Sequence, residues 1–480
     1  MSSSASLSLV RPVASADPET PGSWSLSSPL GAAPRRRRNP VATAILFALA
    51  GILCLSPALV AEEQPLAFVG ALVLPVDGPP IEDGALVVED GVITAVGPRA
   101  TIPIPRGAVT LDVSGKVLMP GLVDTHSHIG GGGGADSSEP IQPEVSIRDS
   151  IDMRHAGFRR ARAGGITTAN VMPGSGHLIS GQTVYLKLRD GNTLDDLLIE
   201  LEDGRIAGGL KMANGTNSRR DPPFPGTRGK SAALVRQAYV DAQQYRAKRE
   251  RFADDPSKRP EVDHGLEILN EVMDGKRTVH HHTHRHDDIL TVLRLSEEFG
   301  FKVVLHHVSE AWKVADEIAA AGAPSSAILV DSPGGKLEAK DLNFEIGPAL
   351  EAAGAAVAYH TDDPITDSRL FLRMPALGVR AGLSRDIALS SVTLEAARML
   401  DLDQRVGSLT AGKDADFIIL SGDPFSVYTR IEETWVEGQK VFDLDDPEQR
   451  AWADGGWDQG SASRSHLDGC LGHHHEEEHR

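Results

Sequence analysis

Cysteine is almost absent: the 480-residue chain has two, Cys54 in an apolar N-terminal stretch and Cys470 near the C-terminus. Neither can staple the middle of the chain, so packing and bound metal must hold it together. Net positive charge is lacking as well. The formal charge of -19 repels nucleic acid and anionic lipid, which leaves a small molecule as the expected partner. Charge of either sign is missing from Val41 to Val60, an apolar run preceded by Arg35 to Arg38 and finished by small residues. That is the layout of a signal peptide, with cleavage after Ala58 or Ala61 and a mature chain, periplasmic or secreted, beginning near Glu62. Left uncleaved, the run is long enough to anchor the chain in a membrane. A small residue ahead of Cys54 is also lacking, because Leu53 stands there, and this excludes a lipoprotein. The Ser/Pro/Ala-rich stretch before Arg35 is expected to be disordered.

What is present is material for a large core: 40% of residues are apolar and 24% charged. Short β-rich runs open the chain, at Ala67 to Leu74, Ala85 to Val88 and Val92 to Val96, broken by Gly, Asp and Pro. Similar runs return at Phe417 to Leu420, Ile431 to Val436 and Lys440 to Phe442. The two flanks, residues 62–120 and 405–446, are expected to form one composite β-sandwich. Between them, over 121–404, strand-length apolar runs alternate with amphipathic helical stretches, the pattern of repeated βαβ units. In one such unit the strand Thr278 to His282 leads to Asp287 as a helix cap, then to Ile289, Leu290, Leu293 and Phe299 at helical spacing, Gly300 as terminator and a strand from Lys302 to Leu305. Ala311 to Ala321 reads as helix and Ala327 to Val330 as strand; Ala349 to Ala353 and Ala355 to Tyr359 repeat the rhythm. From His126 to Asp362 is roughly 240 residues, which suits an α/β fold of the (β/α)8 TIM-barrel kind. Residues 447–480 turn polar and end in LGHHHEEEHR, a tail expected to be disordered and to bind metal weakly through His473 to His475 and His479.

Histidines collect at the ends of these strands. VLMPGLVDTHSHI, starting at Val117, ends with His126 and His128, which as alternate residues of a strand point to one face and can reach one metal. HHHTHRHDD, from His280, puts His280, His282 and His284 on one face and His281 on the other. His306 and His307 follow the strand that ends at Leu305, and parity does not choose between them. In AYHTDDP, Asp362 follows a strand and can act as ligand or general base. Lys211 lies in GGLKMANG, an apolar strand where lysine is costly unless paired, modified or snorkelling to the barrel mouth. Four strand ends offering imidazole or carboxylate favour Zn2+, in one or two copies, with Mn2+, Fe2+ or Ni2+ accepted by the same ligands.

With these residues in view, the sequence resembles the amidohydrolase superfamily, more narrowly its imidazolonepropionase-like and metal-dependent dipeptidase-like branch, from Leu66 to Phe442. The phrases that carry the likeness are MPGLVDTHSH, HTHRHDDI, LHHVSE, HTDDP and GSLTAGKDADFIILSGDP, residues 407–424. The resemblance implies metal ligation by His126, His128, His282, His307 and Asp362, with Asp362 catalytic. It also implies a carbamylated, metal-bridging Lys211, as in related members that hydrolyse dipeptides. The phrase NGTNSRR departs from the branch's Gly-Glu-Asn-Pro-Lys-Arg, with Thr216 for Glu and Ser218 for Pro, and His306 stands where glutamate is usual. Expected substrate contacts are His177, Tyr185, Arg219, Arg220, Arg228, His284 and His286, since guanidinium suits a substrate carboxylate.

The expected function is hydrolysis of a C-N amide bond in a small peptide-like or cyclic amide substrate. The alternatives are a mononuclear cyclic amidase or deaminase of the imidazolonepropionase type and, from another class, a periplasmic metal-binding protein that sequesters metal through its tail. A homo-oligomer is compatible with all three.

Overall fold

The computed structural model describes residues 64–131, 136–329 and 336–455, which belong to one compact unit. The expected leader over 1–61 and the histidine-rich end of the tail lie outside the described residues. No helix among the described residues is long and apolar enough to cross a membrane.

The chain opens with β1 (Leu66–Val73), β2 (Ile81–Glu89), β3 (Val92–Pro98), β4 (Val109–Asp112) and β5 (Val117–Pro120). The central strands are β6 (Leu122–Ser127), β7 (Ile166–Val171), β8 (Ile179–Gln182), β9 (Val184–Lys187), β10 (Leu210–Ala213), β11 (Val279–Thr283), β12 (Val303–His307), β13 (Ser325–Ala327) and β14 (Val357–Tyr359). Last come β15 (Phe417–Leu420), β16 (Ile431–Val436) and β17 (Gln439–Asp443).

Strands of both flanks enter one sheet in the order β17-β16-β15-β5-β1-β2-β3, with β4 on β1. Its joint is the antiparallel pair of β5 with β15, Met119 opposite Ile418. The strands of both flanks thus pair in one eight-stranded sheet. Two hairpins fix its register through two-residue turns that need positive φ at both positions: Asp90-Gly91 (49° and 78°) and Glu437-Gly438 (48° and 75°). Phe68 meets Phe417 and Trp435 edge-on, with ring centroids 4.8 and 5.0 Å apart, at the centre of this sheet's own apolar cluster.

The central segment is a TIM-barrel-like α/β arrangement carried by two sheets. One runs β14-β13-β12-β11-β10-β8 and is parallel from β10 to β14; the other is β6-β7-β9. Backbone hydrogen bonds join them at two places. Asp362 donates to His126 (2.8 Å) and His128 to Asp363 (3.1 Å), while Tyr185 donates to Ala207 (2.9 Å) and Thr183 to Gly209 (3.0 Å). All-parallel strands were expected, but β8 and β9 are antiparallel members separated by Thr183 alone. Thr183 Oγ1 also accepts the Gly209 N–H (2.9 Å), so this residue pins the doubled-back segment against the approach to β10.

The unit read from Thr278 onward folds as β11, the helix His286–Phe299, the left-handed Gly300 (φ 73°) and β12. Its cap differs: Arg285 is the N-cap, and Asp287 sits inside the first turn, paired with Arg285 (2.9 Å). The expected strand Ala327 to Val330 is displaced to β13, and the expected helix Ala311 to Ala321 is a 3-10 turn followed by the helix Ala315–Ala320. The tail is not irregular throughout: Pro447–Asp454 is a helix, capped by Asp446, whose Trp452 lies under the Arg159 guanidinium (5.1 Å).

Lys187, on β9, fastens the central segment to the flank sheet. Its side chain is 1% exposed and Nζ lies 2.8 Å from Asp414 and 2.7 Å from Asp416. Burial raises the Asp416 carboxyl above its ordinary range even though Lys187 opposes the shift.

Candidate metal centre

The ends of β6, β12 and β14 converge. Strand alternation puts His126 and His128 on one face, with Nε2 atoms 3.3 Å apart. Asp362, just past β14, reaches both through Oδ1, at 3.3 Å from His126 and 3.0 Å from His128. Its other oxygen is 3.8 Å from His307 Nδ1. Lys211 Nζ comes from β10 to 3.1 Å from His126 Nε2 and 3.1 Å from Met172 Sδ. Non-glycine residues with positive φ cluster here: His307 (69°), Val308 (43°) and Asp362 (52°). For a β-branched valine this is costly backbone, and such strain gathers where a site must aim its side chains.

Burial sets the electrostatics. It drives the pKa of His126, His282, His284, His306 and His307 well below the ordinary imidazole value, helped by neighbouring charges that include Lys211 for all but His284. His280 and His360 fall to about 3 for the same first reason. Neutral rings with free lone pairs suit cation binding. Burial works against ionisation of Asp362, but the hydrogen bond and charge of His128, with His360 and Lys211, outweigh it and hold the carboxyl below its usual range. Two groups of three could each hold a metal here, His126 with His128 and Asp362, and His126 with His307 and His360. The ring nitrogens His126 Nδ1 and His307 Nε2 are buried without a hydrogen-bond partner, which is what ligands awaiting a cation look like.

His282 lies against His307, ring centroids 4.3 Å apart, yet its ligand atoms group with those of His284 and Glu338 instead. His284 stacks on His307 and its Nδ1 contacts Ser309 Oγ at 2.7 Å. The other expected substrate residues stand apart from the centre or are engaged. Tyr185 is buried with its hydroxyl 2.7 Å from His280 Nε2. His177 meets Arg220 (3.3 Å) beside Phe224, on whose ring Arg220 lies. Arg219 donates to the Gly215 carbonyl, Arg228 to both oxygens of Asp288, and the half-exposed His286 pairs with Glu310 at 2.6 Å.

Two contributors, His360 and Asp124, were given no role from sequence. His360 sits 3.2 Å from His307 and is held by Ser326 Oγ at 2.9 Å; its signal was present, a histidine directly after an apolar strand. His306 and His280 are linked at 2.9 Å, which makes a buried string with Tyr185. Asp124 ties β6 to the end of β14 through the Thr361 N–H (3.1 Å), its carboxyl raised by burial to about 7.

The fold and this arrangement define a class before any relative is named: a histidine- and carboxylate-lined centre at the strand ends of a TIM-barrel-like domain. The family model described as "Amidohydrolase family" matches residues 273–442. The crystal structure of an amidohydrolase from Thermotoga maritima MSB8 is 31% identical, with a TM-score of 0.73, and the match covers 79% of this chain and all of that one. The amidohydrolase tasK of Hapsidospora irregularis is 28% identical over 407 residues, 77% of this chain, and the chain spans 41% of that relative's length. The imidazolonepropionase of Caulobacter sp. (strain K31) is 27% identical over 376 residues, 71% of this chain and 88% of that protein. The chain belongs to the amidohydrolase superfamily, in its imidazolonepropionase-like branch.

Proposed function

We propose that the protein is a metal-dependent hydrolase that cuts a C-N amide bond in a small peptide-like or cyclic amide substrate. The observation that carries this reading is the membership of His126 in two buried three-residue groups, with Lys211 Nζ 3.1 Å from His126 Nε2. His126, His128 and Asp362 would hold one divalent cation, and His307 and His360 would help hold a second, with Lys211, carbamylated, as a further ligand. Zn2+ fits the donor set, as do Mn2+, Fe2+ and Ni2+. A divalent cation so held supplies an acidified water and polarises the scissile carbonyl. Asp362 takes the proton from the attacking water at its carboxylate and delivers it to the leaving nitrogen. His128 keeps Asp362 ionised and in place, and the Met172 carbonyl, 2.8 Å from His128 Nδ1, fixes that ring. His284, Arg228, Arg219, His177 and Tyr185 are the substrate-side candidates, Tyr185 through its hold on His280. Export through the Val41 to Val60 run is part of the proposal, and N-terminal sequencing of the mature chain near Glu62 tests it.

The likeness to imidazolonepropionase favours a second reading, a mononuclear cyclic amidase or deaminase in which Lys211 and His307 hold no metal. Metal per chain by mass spectrometry separates the two. The chain is ended after Gly455, so that the helix Pro447–Asp454 is kept and the terminal histidines are not counted. Near two equivalents lost on Lys211 substitution supports the binuclear amidase, near one the mononuclear enzyme, and none after repeated loading ends the hydrolase assignment.

A further inference from the structure

Acceptor atoms without a donor gather around the loop that follows β10. Glu338 Oε1 and Asn214 Oδ1 are both buried with no hydrogen-bond partner. The orientation of Asn214 is settled by its other end: Nδ2 donates to the Asp288 carbonyl at 3.0 Å, which only the amide nitrogen can do. Glu338 arrives from the turn Leu337–Ala339, and its Oε2 accepts the Thr216 N–H (2.8 Å) and an Arg228 N–H (3.3 Å). Gly215, next to Asn214, passes so near that a Cβ on it would stand 2.6 Å from that oxygen. The loop therefore brings Asn214 to the side of Glu338.

Charge is unbalanced at this place. Arg228 is shared between Glu338 and Asp288, so two carboxylates meet one guanidinium. Lys336 acts with burial to keep His282 and His284 neutral, and among the described residues it makes no ion pair with Glu338. A buried carboxylate oxygen in this state is a seat for an N–H, best a cationic one. The seat borders the metal centre. A Glu338 oxygen lies within 4.8 Å of a ring nitrogen of His282 and of His284. His282, which the resemblance puts among the metal ligands, packs on His307 with ring centroids 4.3 Å apart. Asp362, His284, His128 and Glu338 keep 5–8% of their surface, whereas His126, His360 and Lys211 keep 0%. Solvent thus reaches the centre on the side where Glu338 stands.

We propose that Glu338 Oε1 and Asn214 Oδ1 bind the free amino group of the substrate, which is then a peptide-like amide with an unblocked ammonium. The carboxylate supplies the charge and the asparagine carbonyl a second acceptor, so two of the three ammonium N–H groups are met. The assignment rests on the hydrolase reading and chooses within it, against N-acylated and cyclic amides.

The test is hydrolysis, by the zinc-loaded full chain, of a panel of dipeptides, their N-acetyl forms and cyclic amides, with wild type and Glu338→Gln compared. The substitution keeps an acceptor for the Thr216 N–H, and circular dichroism establishes that the variant is folded. Wild type should favour free-amine dipeptides over their N-acetyl forms by about tenfold or more in kcat/KM, and Glu338→Gln should cut that ratio about tenfold, through KM. A variant that loses activity on both forms alike, with the ratio intact, overturns the assignment. Equal turnover of both forms by wild type, or turnover of cyclic amides alone, also overturns it and leaves the hydrolase reading standing. Turnover of nothing in the panel removes both. Should the variant fail to fold, the wild-type ratio decides by itself.

Discussion

Two lysines are buried to the same degree, and they show what burial is for. Lys187 is 1% exposed and Lys211 0%. Lys187 stands between Asp414 and Asp416, so its charge is matched by carboxylates and its task is mechanical, joining β9 to the sheet of the flanks. Lys211 stands among imidazoles, 3.1 Å from His126, in a cluster whose pKa values its charge helps to depress. A matched buried charge holds parts together, whereas one set beside neutral ligands belongs to chemistry.

The comparison is most exposed to substitution at Lys211 itself. Lys211→Met should abolish amide hydrolysis, by at least ~10³-fold, with little change in the denaturation midpoint; equal damage to stability would erase the contrast. Native mass spectrometry of the intact wild type should show an added CO2 that is missing from Lys211→Met, and bicarbonate depletion should lower activity until it is restored. Asp362→Asn should cost about 10³-fold in kcat, because the amide cannot carry the proton. Lys187→Met should do the reverse of Lys211→Met: about 3–5 kcal/mol of stability lost, since Asp416 remains buried and uncompensated, and unchanged activity per folded chain. A Lys187→Met, Asp416→Leu pair should recover part of that loss in urea titration. The smallest effect belongs to the rim pair of Glu310 with His286. Despite burial, hydrogen bonds from His286 and Lys313 lower the Glu310 carboxyl to about 2. Its contribution is therefore complete above the ordinary carboxylate pKa and fades as pH falls through the window from about 4.5 to about 2. Because His286 is 45% exposed, Glu310→Gln should flatten this acid limb by only about 1 kcal/mol.

How much of this could be read from residues alone follows from how local each signal is. β15 and β16 lie where the runs Phe417 to Leu420 and Ile431 to Val436 put them, because an apolar run bounded by turns is complete within itself. β13 was misplaced because it opens on two buried polar residues, Ser325 and Ser326, the second of which meets Thr125 and His360. Alternation placed His282 and His284 together, and their rings do meet at 4.7 Å. It had no means of choosing between His306 and His307; in the structure His307 faces Asp362 and His306 faces His280. Glu338 left no trace, for it comes from an irregular segment with no period to betray it. Yet its carboxylate accepts the Thr216 N–H, in the loop where the resembled phrase has a glutamate of its own.

The joint between β5 and β15 has a consequence for synthesis. Residues 117–120 emerge from the ribosome some three hundred residues ahead of the strand that pairs with them, as Leu118 waits for Ile419. Until then the nascent N-terminal hairpins carry an open edge, and the whole central domain is translated while that edge is bare. Premature termination anywhere before β15 thus yields a chain with a sticky strand and no partner, a natural client for chaperones.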